Sequence, residues 1–390
     1  QIVNAIISVW AAYVLTGYGK KIGAVLGDPD HYGAAYGAAG GTLGTNLGSV
    51  AALLFVLFIF FAYMHVFKRQ MRRERNVKVD PFSYTLKVLI ITIIPVLLST
   101  TVYNISGIID QGIFKNVALL QGYTDHQIDL WWGVFSGKYK LLINVPISIA
   151  SAMAASSVPT LTASFAANDM ESVRSQINAA SRFVMVIAFP CAIGLAALGK
   201  PIFTLLFPGT VSTADMAAMM MWVGAMAVVF YAMSTLSNGL LQGINRLKIP
   251  VVNAAIALVA HVIVLILLML FFRLNIYAVV IANMFFAFVM CILNSRAIRK
   301  YSGYKQEIVK TFIIPAIASA IMGVTAFFVY KGIYLVIKSN AIATILAILI
   351  AIIVYAVTLL LCKGLTEEEI LRFPKGALLV RIAKKLHLLK

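Results

Sequence analysis

GKYKLLINVPISIASAMAASSVPTL, residues 137–161, decides how this chain is read. The stretch is apolar for most of a membrane width, yet Lys138 and Lys140 stand near its start. An ammonium at the centre of a spanning helix costs about 2.5–3.5 kcal/mol on insertion scales, so something must offset it. Trp131 and Trp132 suit a membrane–water interface. At about 1.5 Å per residue, Lys140 then lies about 13 Å deeper, near the middle of a hydrocarbon slab about 30 Å thick. Lys138 is shallower and can snorkel outward. On a helical wheel Lys140, Asn144, Ser148 and Ser151 share one face, and Lys138 falls on the far side. A polar stripe headed by a cation suits the wall of a water-filled cavity, and the cation implies an anionic group on the cargo. The alternative is an ion pair tying two helices together, with Asp110 as the partner.

Composition agrees with a membrane setting. Of 390 residues, 61% are hydrophobic and 12% charged, against about 25% charged in soluble domains. The mean hydropathy is +0.93. The net charge of +18 sits largely in short loops between apolar runs, where it sets topology, so nucleic acid is not an expected partner. Cys191, Cys291 and Cys362 form no CxxC pair, and no disulfide framework or metal site is implied. His261, the only histidine deep in an apolar run, reads as a partnered packing residue. No catalytic constellation or nucleotide loop is present, and no catalytic residue or cofactor is expected.

A window of about 19 residues finds ten helical spans, near 1–16, 38–67, 84–113, 131–165, 176–199, 215–242, 251–272, 277–298, 308–335 and 341–362. One alternating set of loops holds 21 Lys and Arg and the other 7. The excess marks the first set as cytoplasmic and puts Gln1 and Lys390 on the inner side. The chain opens directly into a span, which implies a missing N-terminal part. Gly33, Gly37, Gly40, Gly44 and Gly48 recur every three or four residues and read as a close helix-packing face. Pro95, Pro146, Pro159, Pro190 and Pro315 interrupt spans, as in helices that line cavities. The tail 375–390 reads as a basic amphipathic helix lying on an anionic leaflet.

YGAAGGTLGTNLGSVAALL (36–54), VFSGKYKLLINVPISIASAMAASSVPTL (134–161), SNGLLQGINRLKIPV (237–251) and GLTEEEILRFPKG (364–376) resemble the SpoVB/YtgP branch of polysaccharide-biosynthesis proteins. These are MurJ-like members of the MOP (MATE-like) flippase superfamily. The resemblance implies an all-α polytopic membrane protein with fourteen helices in a two-lobe bundle, of which this chain holds the fifth to fourteenth. Residues 1–67 would close the N-terminal lobe, 68–83 form a basic cytoplasmic inter-lobe loop and 84–298 the C-terminal lobe. Residues 299–362 would supply two additional helices, and 363–390 a basic amphipathic cytoplasmic tail.

The implied function is alternating-access transfer of an undecaprenyl-diphosphate-linked saccharide, foremost lipid II, across a bacterial cytoplasmic membrane. Cell-wall synthesis or division proteins are candidate partners. Lys140 falls where such proteins place an arginine that meets the diphosphate. Some members couple to sodium through an acid in helix seven and an Asn/Asp pair in helix eleven. Asp110 matches the first and Asn253 the second, while the acid expected one turn later is Ala257. Protons or the membrane potential are the other candidate drives. A cation-coupled drug exporter of the same fold, which would depend on Asp110, is the alternative within transport. A membrane-embedded glycosyltransferase or a scaffold is the alternative outside it.

Overall fold

The computed structural model describes residues 2–73 and 80–364, together with Glu367, Ala377, Val380, Arg381 and Lys384. Every regular element among the described residues is helical. Backbone groups in hydrocarbon must bond within their own segment, and an apolar helix does this alone. The chain divides into two compact units, residues 1–85 and 86–390.

The first unit is a helical hairpin of α1 (Ile2–Leu26) and α2 (Pro29–Arg73). Gly27 takes a left-handed φ of 87° at the turn, and the Asp28 side chain caps α2 by accepting from the His31 N–H at 3.1 Å. The glycine stripe is the packing face it was read to be. A Cβ on Gly40 would stand 2.5 Å from the backbone carbonyl of Ala11, and one on Gly44 would collide with Ser8. Both helices outrun the expected spans. Residues 68–73, expected as loop, continue α2, because Lys, Arg, Gln and Met favour helix once the chain leaves the membrane. The tail expected at 363–390 lies largely outside the described residues.

α3 (Phe82–Leu120) lies in the second unit from residue 86 onward and contains the expected span 84–113. A capping box of Thr124 and Gln127 starts α4 (Asp125–Val134). α4 runs through a π turn, Phe135–Tyr139, directly into α5 (Lys140–Ala166). Asp169 caps α6 (Met170–Ala197). Next come α7 (Gly199–Leu206), α8 (Ala214–Val223) and α9 (Ala225–Gly243), the last two meeting at a 52° bend. α10 (Lys248–Leu270), α11 (Asn275–Ser302), α12 (Ile314–Ile337) and α13 (Asn340–Leu361) complete the order. Among the described residues eight helical segments are long and apolar enough to span, and the bent pair makes a ninth.

α9 is the centre of this unit, buried along most of its length between α5, α6 and α11. Small residues set its approach to α5: a Cβ on Gly239 would come within 2.7 Å of the Ala154 Cβ. α12 and α13 pack against each other, with α12 on α6. Pro315 follows a π turn, Val309–Ile313, that runs directly into α12, so it lies inside a continuous helical span and removes one backbone hydrogen bond there.

Candidate functional site

Where α3, α5, α9 and α11 converge, the second unit encloses a cavity of about 330 Å³. α5 contributes Lys140, Ile143, Asn144 and Ile147, which follow helical spacing along one face. α9 contributes Ala227, Tyr231 and Thr235, each one turn apart. Asn104 and Ser106 of α3 and Asn283 of α11 close it, with Phe135 and Tyr139 of the π turn at one end.

The π turn positions the amine. The Lys140 backbone N–H donates to Phe135 O, five residues back, so one extra residue is wound into the helix immediately before Lys140. Such bulges recur at functional sites. Phe135 and Tyr139 stack at 5.7 Å between ring centres. The Lys140 Nζ lies 4.9 Å from the centre of the Phe135 ring. The same Nζ lies 3.9 Å from where a Cβ on Gly107 would stand. Among the described residues no acid lies within ion-pair distance of this amine, although the charge of Asp110 reaches it.

The sequence-derived residues divide here. Lys140 and Asn144 line the cavity. Ser148 and Ser151 lie exposed further along α5 and do not line it; the Ser148 hydroxyl donates back to Asn144 O at 2.8 Å. Lys138 stands apart, its Nζ 5.6 and 5.9 Å from the rings of Phe203 and Phe207.

Asp110, the candidate ion-pair partner of Lys140, is committed elsewhere. It is fully buried, as is His261 of α10. His261 Nε2 lies 2.5 Å from Asp110 Oδ1, and Asn283 donates to Asp110 Oδ2 at 2.7 Å. His261 Nδ1 lies 2.8 Å from Ala282 O. The Tyr231 hydroxyl donates to Asn283 Oδ1 at 3.1 Å, joining the cavity wall to the buried acid. His261 is therefore partnered, but by an acid rather than by packing alone. Asn253, the other ion-coupling candidate, is not in this cluster. It donates to Asn294 at 2.9 Å, and Asn294 donates on to Ser237 and Asn238 of α9. Eight residues of α10, about 12 Å, separate Asn253 from His261.

Sequence reasoning missed Asn283, Tyr231 and Thr235. The usable signals were an asparagine, Asn283, within the apolar first half of α11 and two hydroxyls one turn apart on α9.

The order of the helices has a counterpart among known proteins. Residues 22–340 match the family described as Lipid II flippase MurJ. The chain belongs to that family. It is 27% identical over 190 residues to the Lipid II flippase MurJ of Bacillus subtilis (strain 168), an alignment covering 47% of this chain and 34% of that protein. A solved structure of Lipid II flippase MurJ in an inward closed conformation superposes with a TM-score of 0.56 at 18% identity. The superposition takes in 88% of this chain and 65% of that one. The chain thus spans less than two thirds of the length of either relative. As in the resemblance stated above, the fold is an all-α polytopic membrane bundle.

Proposed function

We propose that the full-length protein is a transporter that moves an undecaprenyl-diphosphate-linked saccharide, lipid II, from the inner to the outer leaflet of the bacterial cytoplasmic membrane. Both ends of the present chain lie on the cytoplasmic side. Residues 1–67 close the first lobe, 84–298 form the second and 299–362 are the two additional helices. Transfer proceeds by alternating access, as in transporters built from broken helices. The observation that carries the reading is the amine of Lys140, unpaired among the described residues and facing a polar cavity. A cation held in partial desolvation attracts a diphosphate more strongly than water would allow. Asn144, Tyr231 and Thr235 line the same chamber and can hydrogen-bond the head group. Family membership supports the same cargo.

The test is a headgroup-accessibility assay. The full-length protein is reconstituted with labelled lipid II, and the fraction of head groups reached by an external probe is followed over time. Protein-dependent equilibration across the bilayer is expected. Accessibility that stays at the level of protein-free vesicles, with folded protein present, overturns the reading.

A further inference from the structure

A second cavity, of about 400 Å³, lies where α6, α9 and the end of α11 meet the loop that leads to α12. It shares no lining residue with the Lys140 chamber. Its buried lining is largely apolar, with Ile177 of α6, Met233 of α9 and Ile298 of α11. Its cations are the exposed side chains of Arg296 and Arg299 on α11 and Lys305 in the loop. Arg296 and Arg299 are three residues apart and so are neighbours on one helix face. Among the described residues no Asp or Glu lines this cavity. The nearby Glu307 is engaged, 3.7 Å from Lys310 and accepting from Asn178 at 3.3 Å.

Two polar groups in this lining are unanswered. Ser181 is fully buried, and its hydroxyl has no hydrogen-bond partner among the described residues. Gln306 Nε2 is likewise buried without a partner. A buried donor left unpaired costs more than a typical hydrogen bond contributes, so such groups call for an explanation. Both can donate, and both belong to a cavity whose charges are all positive. An anion with several oxygens answers them together, and the forked guanidinium suits a phosphate. Basic residues at the end of a spanning helix also set topology, but topology requires neither a cavity nor orphaned donors. Back along α11, Ile292 and Phe288 continue the Arg296 face at spacings of four and are exposed. An acyl chain can lie along them while its phosphate occupies the cavity, which favours a lipid over a free phosphate. Basic pockets between spanning helices on the cytoplasmic side bind such head groups, and residues 296–310, with five Lys and Arg, carry the cytoplasmic charge signature.

We propose that this cavity binds the head-group phosphate of an anionic phospholipid. Arg296, Arg299 and Lys305 meet its charge, and Ser181 and Gln306 donate to its oxygens. Occupied, the site ties α6 and α11 to the loop before α12 and fixes that end of the second unit against the leaflet. It does not rest on the cargo reading, because Lys140 belongs to the other cavity.

The test uses delipidated full-length protein in a neutral detergent, titrated with dioleoyl phosphatidylglycerol, dioleoyl phosphatidylcholine or inorganic phosphate. Native mass spectrometry counts bound lipid, and thermal unfolding is recorded on the same samples. Phosphatidylglycerol should bind several-fold more tightly than phosphatidylcholine and raise the unfolding temperature. Loss of even one charge contact at the solvent limit of Coulomb attraction is worth about fivefold. Arg296→Gln combined with Arg299→Gln should therefore lose about fivefold or more in phosphatidylglycerol affinity. Lys248→Gln, at the exposed start of α10, and Lys140→Gln should each stay within about twofold. Ser181→Ala gives a readout that lost packing would not. Its hydroxyl has no partner to lose, so the lipid-free protein should be as stable as wild type or more so, while phosphatidylglycerol affinity falls several-fold. Equal affinity for the two lipids, or equal binding by wild type and the double arginine variant, overturns the site. So does a Ser181→Ala protein that binds normally. Stabilisation by inorganic phosphate as large as that by phosphatidylglycerol, at equal concentration, overturns the lipid as occupant.

Discussion

Replacing Lys140 by Gln should weaken cargo binding while leaving the fold intact, and the structure sets the size of the effect. Asp110, whose charge reaches the amine, keeps its own partners His261 and Asn283, so removing the amine orphans no buried charge. What is lost is its attraction for an anion. Two unit charges 4 Å apart interact by about 1 kcal/mol in bulk water and by about 4 kcal/mol at an effective dielectric of 20. A half-open polar cavity lies between these limits. At about 1.4 kcal/mol per factor of ten, affinity for a diphosphate lipid should fall between about 5-fold and about 10³-fold. Lys138→Gln is the internal control. Its amine stands over Phe203 and Phe207, outside the cavity, where such contacts contribute about 0.5–1 kcal/mol to stability. Cargo affinity should stay within about twofold. Lys140→Arg keeps the charge and adds a fork that matches phosphate oxygens, so it should bind at least as well as wild type. The assay is equilibrium binding of a labelled diphosphate lipid to full-length protein in nanodiscs, with thermal unfolding measured on the same samples. Equal loss in the Lys140 and Lys138 variants refutes the assignment. So does a Lys140→Gln protein that binds normally.

Three further outcomes follow from the packing and the polar contacts. Asn283→Ala removes the donor to Asp110 Oδ2 and the acceptor for Tyr231; interhelical bonds in membranes reach about 1.7 kcal/mol, so thermal unfolding should register a loss of about 1–2 kcal/mol. Gly40→Ala places a Cβ 2.5 Å from the Ala11 backbone and should destabilise the α1–α2 hairpin by about 1–3 kcal/mol. Gly41→Ala, with nothing within 4 Å, should be neutral or stabilising, and limited proteolysis should separate the two variants. Burial pushes the phenol of Tyr304, in the loop after α11, up to about 12. Because the folded value lies above the unfolded value of about 10, its contribution to stability is complete below pH 10 and is lost as pH rises towards 12. Tyr304→Phe should flatten that alkaline limb in unfolding measured against pH.

Nine of the ten expected spans have counterparts among the described residues, counting the bent pair as one, because hydrocarbon imposes one demand on every segment that crosses it, and an apolar run of the right length answers it. The glycine stripe was legible for a similar reason. A period of three to four in small residues means close approach wherever a second helix is available, and α1 supplied it at Ala11 and Ser8. What hydropathy could not show is where a helix stops once it leaves the membrane. α2 therefore runs to Arg73, through residues that a membrane criterion scores as loop.

The site was half legible, and the missing half has a physical cause. A wheel drawn from sequence assumes 100° per residue throughout, and it correctly put Lys140 and Asn144 on one face. It could not anticipate a bond from Lys140 to a carbonyl five residues back, which turns α4 relative to α5. Nor could spacing along one helix reveal that Asp110 is claimed by His261, 151 residues later. Electrostatics then decides what each charge is for. A carboxylate in a dry wall needs a hydrogen-bond donor, and the imidazole and Asn283 supply both that it requires. Had Lys140 supplied one, its charge would be neutralised and the cavity would offer nothing to an anion. Assigning the acid to His261 leaves the lysine available, so the buried pair and the free amine are two consequences of a single partition of charge.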